Sequence, residues 1–244
     1  MIRHLLTAIV AAHAIVFASP SWVTAAAGPP FELAVKKDQT WGSSRGMLVV
    51  TEGSVEFRTA DKDDSRVWSY DDIKQLQVLS PTRITILTYE DQGTLRLGAD
   101  RAVQFELVGD SISADLVTFF LERTSRPIVT AVIPGVDGTP LFQVNVKHLR
   151  RGRGSEGTLE LYDRQLIYRA GGITDSRYWR FADIYSVLRL DRFRLEVRVY
   201  EGGSGDLRTF VFEFKNDLPD NLYDALWSRV NRTAFDAATN GAGY

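Results

Sequence analysis

Asp64-Ser65-Arg66-Val67-Trp68-Ser69-Tyr70-Asp71-Asp72-Ile73 is answered 111 residues later by Asp175-Ser176-Arg177-Tyr178-Trp179-Arg180-Phe181-Ala182-Asp183-Ile184, with six of ten positions identical. The match runs upstream without a gap to Phe31-Glu-Leu-Ala-Val35-Lys36 and Phe142-Gln-Val-Asn-Val146-Lys147, and about 14 of 50 aligned positions are identical. A spacing of this length exceeds any solenoid unit and suits a whole small domain. At 244 residues the length permits one large domain or two small ones, and the duplication selects two.

Outward from these segments the chain alternates with period two. Phe31, Leu33 and Val35 share a face, as do Phe193, Leu195, Val197 and Val199, with Arg194, Glu196 and Arg198 opposite. Val103-Phe105-Leu107 and Phe210-Phe212-Phe214 follow the same rule, the mark of half-buried antiparallel strands. Gly42-Ser-Ser, Glu52-Gly53, Asp91-Gln-Gly93, Gly171-Gly172 and Gly202-Gly-Ser-Gly205 supply turns. Each unit then changes to helical spacing. Ile112, Leu116, Phe119 and Phe120 follow Asp110-Ser111 as candidate caps, and Leu222, Leu226 and Val230 follow Asp217 and Pro219. About seven strands and one helix, twice, is the predicted order, the sheet bending far enough to close and the helix plugging one end.

This order, a Gly opening strand two (Gly46, Gly157), an aromatic closing strand three (Phe57, Tyr168) and the Trp-x-aromatic-x-Asp-Ile stretch together resemble the pleckstrin-homology-like superfold, its GRAM-type and bacterial members above all. The resemblance covers nearly all of residues 30–232. It implies a mainly β chain of two tandem seven-stranded bent barrels, each capped by a C-terminal α-helix. It also implies relatives that bind lipid headgroups or peptides and seldom catalyse; on so variable a fold this sets only a prior. The expected layout is a signal peptide over 1–27, domains over 29–125 and 141–233, a linker over 126–140 and a flexible tail over 234–244.

The first 27 residues carry a basic start (Arg3, His4), an apolar run of about 14 residues from Leu5 to Ala18, and small residues at Thr24-Ala25-Ala26-Ala27. That pattern predicts a cleaved secretory leader and a secreted or periplasmic mature protein; a membrane span needs about 20 apolar residues. Cysteine is absent, which excludes disulfides, thiolate metal sites and a cysteine nucleophile. Cleavage would move the net charge from −2 to about −3, so no nucleic-acid partner is expected.

Only His148 remains after the leader, too little for a serine triad or a histidine metal site. Asp61, Asp63 and Asp64 have the opening spacing of a calcium loop but lack its glycine and closing Glu. Gly152-x-Gly154-x-x-Gly157 matches the dinucleotide fingerprint formally, but its last Gly opens a strand where a helix is required. No catalytic residue, metal or cofactor is assigned. Two binding candidates stand out. Arg66 and Arg177 share a strand face with Trp68 and Trp179, either stacked at the rim over the indole or forming an aromatic ledge for an anionic or carbohydrate ligand. The basic loop Lys147, Arg150, Arg151 and Arg153 resembles the phosphate-collecting hairpin of lipid-binding relatives. Trp68, Tyr70, Ile73, Trp179, Phe181 and Ile184 are predicted as the repeated core. The expectation is an exported, non-catalytic binding or scaffolding protein for a protein or peptide. Peripheral attachment to anionic lipid or another polyanion is the alternative, and a hydrolase a remote third.

Overall fold

The computed structural model describes residues 28–38, 42–91, 100–202 and 206–241; the expected signal peptide lies outside them. Among the described residues there are fifteen strands and two α-helices. The first half holds β1 (Phe31–Asp38), β2 (Ser43–Val50), β3 (Ser54–Thr59), β4 (Arg66–Ser69), β5 (Ile73–Ser80), β6 (Arg83–Asp91), β7 (Asp100–Leu107) and α1 (Ala114–Arg123). A short β8 (Ile128–Thr130) follows. The second half holds β9 (Phe142–Arg150), β10 (Arg153–Leu161), β11 (Gln165–Ala170), β12 (Arg177–Arg180), β13 (Ile184–Arg189), β14 (Arg194–Val199), β15 (Arg208–Phe214) and α2 (Asp220–Gly241).

The strands form one continuous sheet in the order β13-β14-β15-β9-β10-β11-β12-β8-β5-β6-β7-β1-β2-β3-β4. This differs from the expected pair of separately closed barrels. The reason is β8, which lies inside the stretch predicted as a linker. It pairs parallel to β5, with Leu76 opposite Ile128, Gln77 opposite Val129 and Val78 opposite Thr130, and antiparallel to β12, with Tyr178 opposite Thr130. An edge from each half is thereby hydrogen-bonded through three residues of connecting chain.

Registers in the two halves coincide at the same spacing as the sequence match. Val35 faces Gly46 as Val146 faces Gly157, Val55 faces Trp68 as Leu166 faces Trp179, and Leu76 faces Ile86 as Val187 faces Val197. Even the irregularity after Ile73 in β5 recurs after Ile184 in β13. The halves diverge after that: β5 slips a second time after Gln77 where β13 does not, and Ile86 pairs with Val103 but Val197 with Phe210, separations of 17 and 13 residues.

Each half has its own apolar core. Trp68 meets Phe105 edge-on with centroids 6.2 Å apart, and Trp179 meets Phe212 edge-on at 6.4 Å. Phe57 and Tyr168 lie 5.1 and 5.0 Å from the same two phenylalanines. Ile73, Ile184 and Phe181 are buried, and half-buried Tyr70 donates its hydroxyl to the Thr51 carbonyl at 2.8 Å. Gly46 and Gly157 sit where neighbouring strands cross closely: a Cβ would collide with the carbonyl oxygen of Arg58 or Arg169 respectively.

Two element ends depart from expectation. The cap of α1 is Ser113, whose hydroxyl accepts from the Leu116 amide at 3.2 Å, rather than Asp110-Ser111. The stretch from 234, predicted as a flexible tail, continues α2 as far as Gly241. Alanines at 234, 237 and 238 favour that continuation. No helix among the described residues is long and apolar enough to cross a membrane.

Candidate functional site

The basic loop does not converge. Residues alternate across β9, so Val146 and His148 turn into the core while Lys147 is exposed on the other face. Lys147 stands opposite Glu156 on one side and Glu213 on the other. All three line a shallow depression of about 1000 Å³ together with Arg169 and Lys215, so cations and carboxylates are interleaved there. Arg150 is held by Asp175 at 2.7 Å and donates from Nε to His148 Nδ1 at 3.3 Å. Arg151 is exposed at the turn, where Gly152 adopts a φ of 83°. The side chain of Arg153 lies outside what the structure describes.

Arg66 and Arg177 close turns instead of forming a ledge over the indoles. Arg66 Nη1 donates to the carbonyls of Asp63 and Ser65, both at 2.8 Å; Arg177 Nη1 donates to those of Thr174 and Ser176 at 2.9 and 2.7 Å. Their surroundings then diverge. Arg66 is exposed, whereas Arg177 is only 3% exposed, its guanidinium 5.7 Å from the Phe210 ring and 3.3 Å from Glu201. Burial pulls the Arg177 pKa below its ordinary value against the pull of Glu201. Glu201 also accepts from the Trp179 indole at 2.8 Å and lies 3.5 Å from Arg208. Nothing in the periodicity of the sequence pointed to Glu201, which follows β14 in a turn.

His148 lies beside this cluster, 4.9 Å from Phe210 and edge-on to Tyr168 at 5.8 Å. Burial, then the positive charges of Arg150, Arg208 and Arg177, hold its pKa down at about 4. A base depressed below its ordinary value of 6.5 is neutral in both folded and unfolded chain above that pH. Between pH 6.5 and 4 the unfolded chain binds the proton first, so stability falls as pH falls through this window. Urea midpoints of the protein should decline across it, and His148→Phe should flatten the decline relative to wild type. An unchanged slope would remove His148 from the acid response.

The junction between halves is a built contact. Arg180 binds Asp183 through two bonds of 2.8 and 3.0 Å, and donates to the carbonyls of Thr124 and Arg126, beyond the end of α1, at 2.8 and 2.7 Å. Burial pushes Asp183 above the usual carboxylate range despite this pairing. At the equivalent position of the first half, Ser69 merely forms a reciprocal cap with Asp72. Gln75 of β5 adds a side-chain bond to the Tyr200 carbonyl at 3.0 Å.

The remaining feature is the outer edge of β13. It is an end of the sheet, so no strand pairs with it among the described residues. Tyr185, Leu188, Leu190 and Tyr200 expose 54, 51, 40 and 37% of their surfaces along and beside it. The matching positions of the first half are Lys74, Gln77, Leu79 and Tyr89. Where Lys74 lies 5.9 Å from the Tyr89 ring, Tyr185 meets Tyr200 edge-on at the same 5.9 Å. Helix α2 flanks the strand: Arg189 pairs with Asp220 at 2.6 Å and stacks 4.9 Å from the Tyr223 ring. One turn on, Trp227 is 49% exposed. A sheet edge with apolar side chains on its face and aromatics on a neighbouring helix is suited to receiving an extended segment.

No family model matches the chain, and no curated protein matches it. Among solved structures, the C-terminal domain of an unknown protein from Leishmania infantum is 18% identical over 38% of this chain and 84% of its own, with a TM-score of 0.31. The Spt16D–Pob3N heterodimer structure is 11% identical over 77% of this chain and 95% of its own, with a TM-score of 0.28. Similarity at this level carries no statement about what this chain does.

Proposed function

We propose that this chain is an exported, non-catalytic binding or scaffolding protein made of two tandem pleckstrin-homology-like modules, and that it docks an extended segment of a partner protein on the β13 edge beside α2. One observation carries the docking site: the same edge in the first half, β5, is already occupied by an added strand, β8, which packs beside α1, whereas β13 has α2 against it and no added strand among the described residues. The shared registers support the two-module architecture. Export rests on residues 1–27 as sequence alone.

Attachment to anionic lipid through Lys147, Arg150, Arg151 and Arg153 has less behind it. A phosphate site needs several free donors aimed at one point, yet Arg150 is spent on Asp175 and Lys147 stands on the opposite face between two glutamates.

The test compares wild type with Tyr185→Lys/Leu188→Lys, two exposed positions whose change leaves the core intact, and with Arg150→Ala/Arg151→Ala/Arg153→Ala. Each is used to capture partners from the source's envelope or medium and is sedimented with phosphatidylglycerol vesicles at low salt. Capture should fall at least tenfold in the lysine variant, with β13 amides protected from exchange in the wild-type complex. Capture indifferent to the lysine pair, or vesicle binding abolished by the arginine triple, would overturn the proposal.

A further inference from the structure

Resting on that docking site, we infer the identity of its guest: a strand running parallel to β13, with an apolar residue pointing in, a β-branched apolar residue pointing out, and a hydrogen-bond acceptor pointing in, in that order. The template is the chain's own β8. Ile128 and Thr130 stand opposite Leu76 and Val78, the core-facing residues of β5, and Val129 stands opposite Gln77. Ile128 joins the first core, and all three are buried. The Ala131 amide donates to the Val78 carbonyl at 2.8 Å, continuing the parallel ladder one residue past β8. Pro127 precedes the strand, where a missing amide costs no ladder bond.

Transfer to the second half is by position along the strand: β5 and β13 share their register against β6 and β14 from the irregularity after Ile73 and Ile184 through Gln77 and Leu188, beyond which β5 slips again and β13 does not. Val187 takes the place of Leu76, Leu188 that of Gln77, and Arg189 that of Val78. The first guest residue therefore meets buried Val187 and must be apolar. The second stands beside exposed Leu188; an apolar, β-branched side chain both favours the strand and covers that surface. The third meets a guanidinium instead of a valine. Arg189 Nε is buried without an acceptor among the described residues, although its Nη1 is bonded to Asp220. That side chain as a whole is 31% exposed, and Thr, Asp or Glu at the guest position brings an acceptor to the guanidinium there. Direction follows the template: the parallel arrangement leaves the guest's N-terminal end near Val187 and its C-terminal end near Leu190.

The probe is a synthetic peptide of residues 125–132, Ser-Arg-Pro-Ile-Val-Thr-Ala-Val, carrying a photo-crosslinker at one end or the other and added to the full chain. The expected result is saturable binding that Tyr185→Lys/Leu188→Lys weakens at least tenfold. N-terminal crosslinks should fall around Ile184 and Tyr185, and C-terminal ones around Leu190 and Asp191. A peptide with its Ile changed to Asp should lose at least tenfold, and one with its Thr changed to Asp should bind at least as well as the parent. Arg189→Met should erase the preference for Asp over Val at that position. Reversed crosslinks would overturn the parallel direction while leaving the docking edge in place. Failure of the peptide, when a captured partner still protects β13, would overturn the guest's composition alone. Failure of both would overturn the edge as well.

Discussion

Glu201→Ala is expected to destabilise the protein by about 3–5 kcal/mol, because it leaves the Arg177 guanidinium charged in a nearly dry site. Arg177 is 3% exposed, and Glu201 is the carboxylate that meets it there, while also holding the Trp179 indole at 2.8 Å and facing Arg208. The turn carbonyls of Thr174 and Ser176 take only Nη1; Nε donates to Glu201 at 3.4 Å, so the carbonyls can replace neither that bond nor the charge. Urea unfolding followed by tryptophan fluorescence measures the loss. Glu201→Gln, which keeps an acceptor for the indole and discards the charge, should fall between wild type and Ala. Replacing both partners, Arg177→Met with Glu201→Leu, should recover most of the loss, since the desolvation cost then disappears with the attraction. A loss under 1 kcal/mol for Glu201→Ala would mean that water reaches the pair.

Trp179→Ala and Trp68→Ala are each expected to cost about 3–5 kcal/mol, the range for emptying a buried aromatic site. Both indoles are buried against a phenylalanine of the last strand of their half, at nearly the same distance and tilt. Trp179 should cost about 1 kcal/mol more, since its loss also removes a hydrogen bond to a buried carboxylate. Trp→Phe at each position separates the two effects: at 68 it removes part of the packing, at 179 packing and the bond to Glu201 together. Equal losses for Trp68→Phe and Trp179→Phe would show that Glu201 draws nothing from the indole. A Trp68→Ala protein unfolding like wild type would show that the first core does not depend on its tryptophan.

Much of the framework was legible in linear order because it depends on contacts whose periodicity is local. Alternation at Leu195, Val197 and Val199 reports a strand with one dry face, although Phe193, expected on that face, precedes the strand and is exposed; helical spacing at Leu222, Leu226 and Val230 reports a helix lying on a core. Gly46 and Gly157 were legible as special positions, but they lie inside β2 and β10 instead of opening them, and the close crossing explains why no side chain fits there. The basic loop misled for an equally local reason. Charge counted along the chain ignores that Lys147 and Arg150 leave opposite faces of β9, and that Asp175, 25 residues after Arg150, neutralises it.

What sequence alone determined is the inventory: which residues alternate, which are dry, and which ten-residue stretch recurs with its tryptophan. What only the tertiary structure decided is which edges meet. Three residues, Ile128 to Thr130, carry too little pattern to announce a strand, yet they stitch β5 to β12 and turn two expected units into one sheet. Glu201 and Arg180 matter through partners 22 and more than 50 residues away, beyond the reach of any period. Side-chain periodicity is a property of neighbours in the chain; edge pairing and charge burial are properties of neighbours in space.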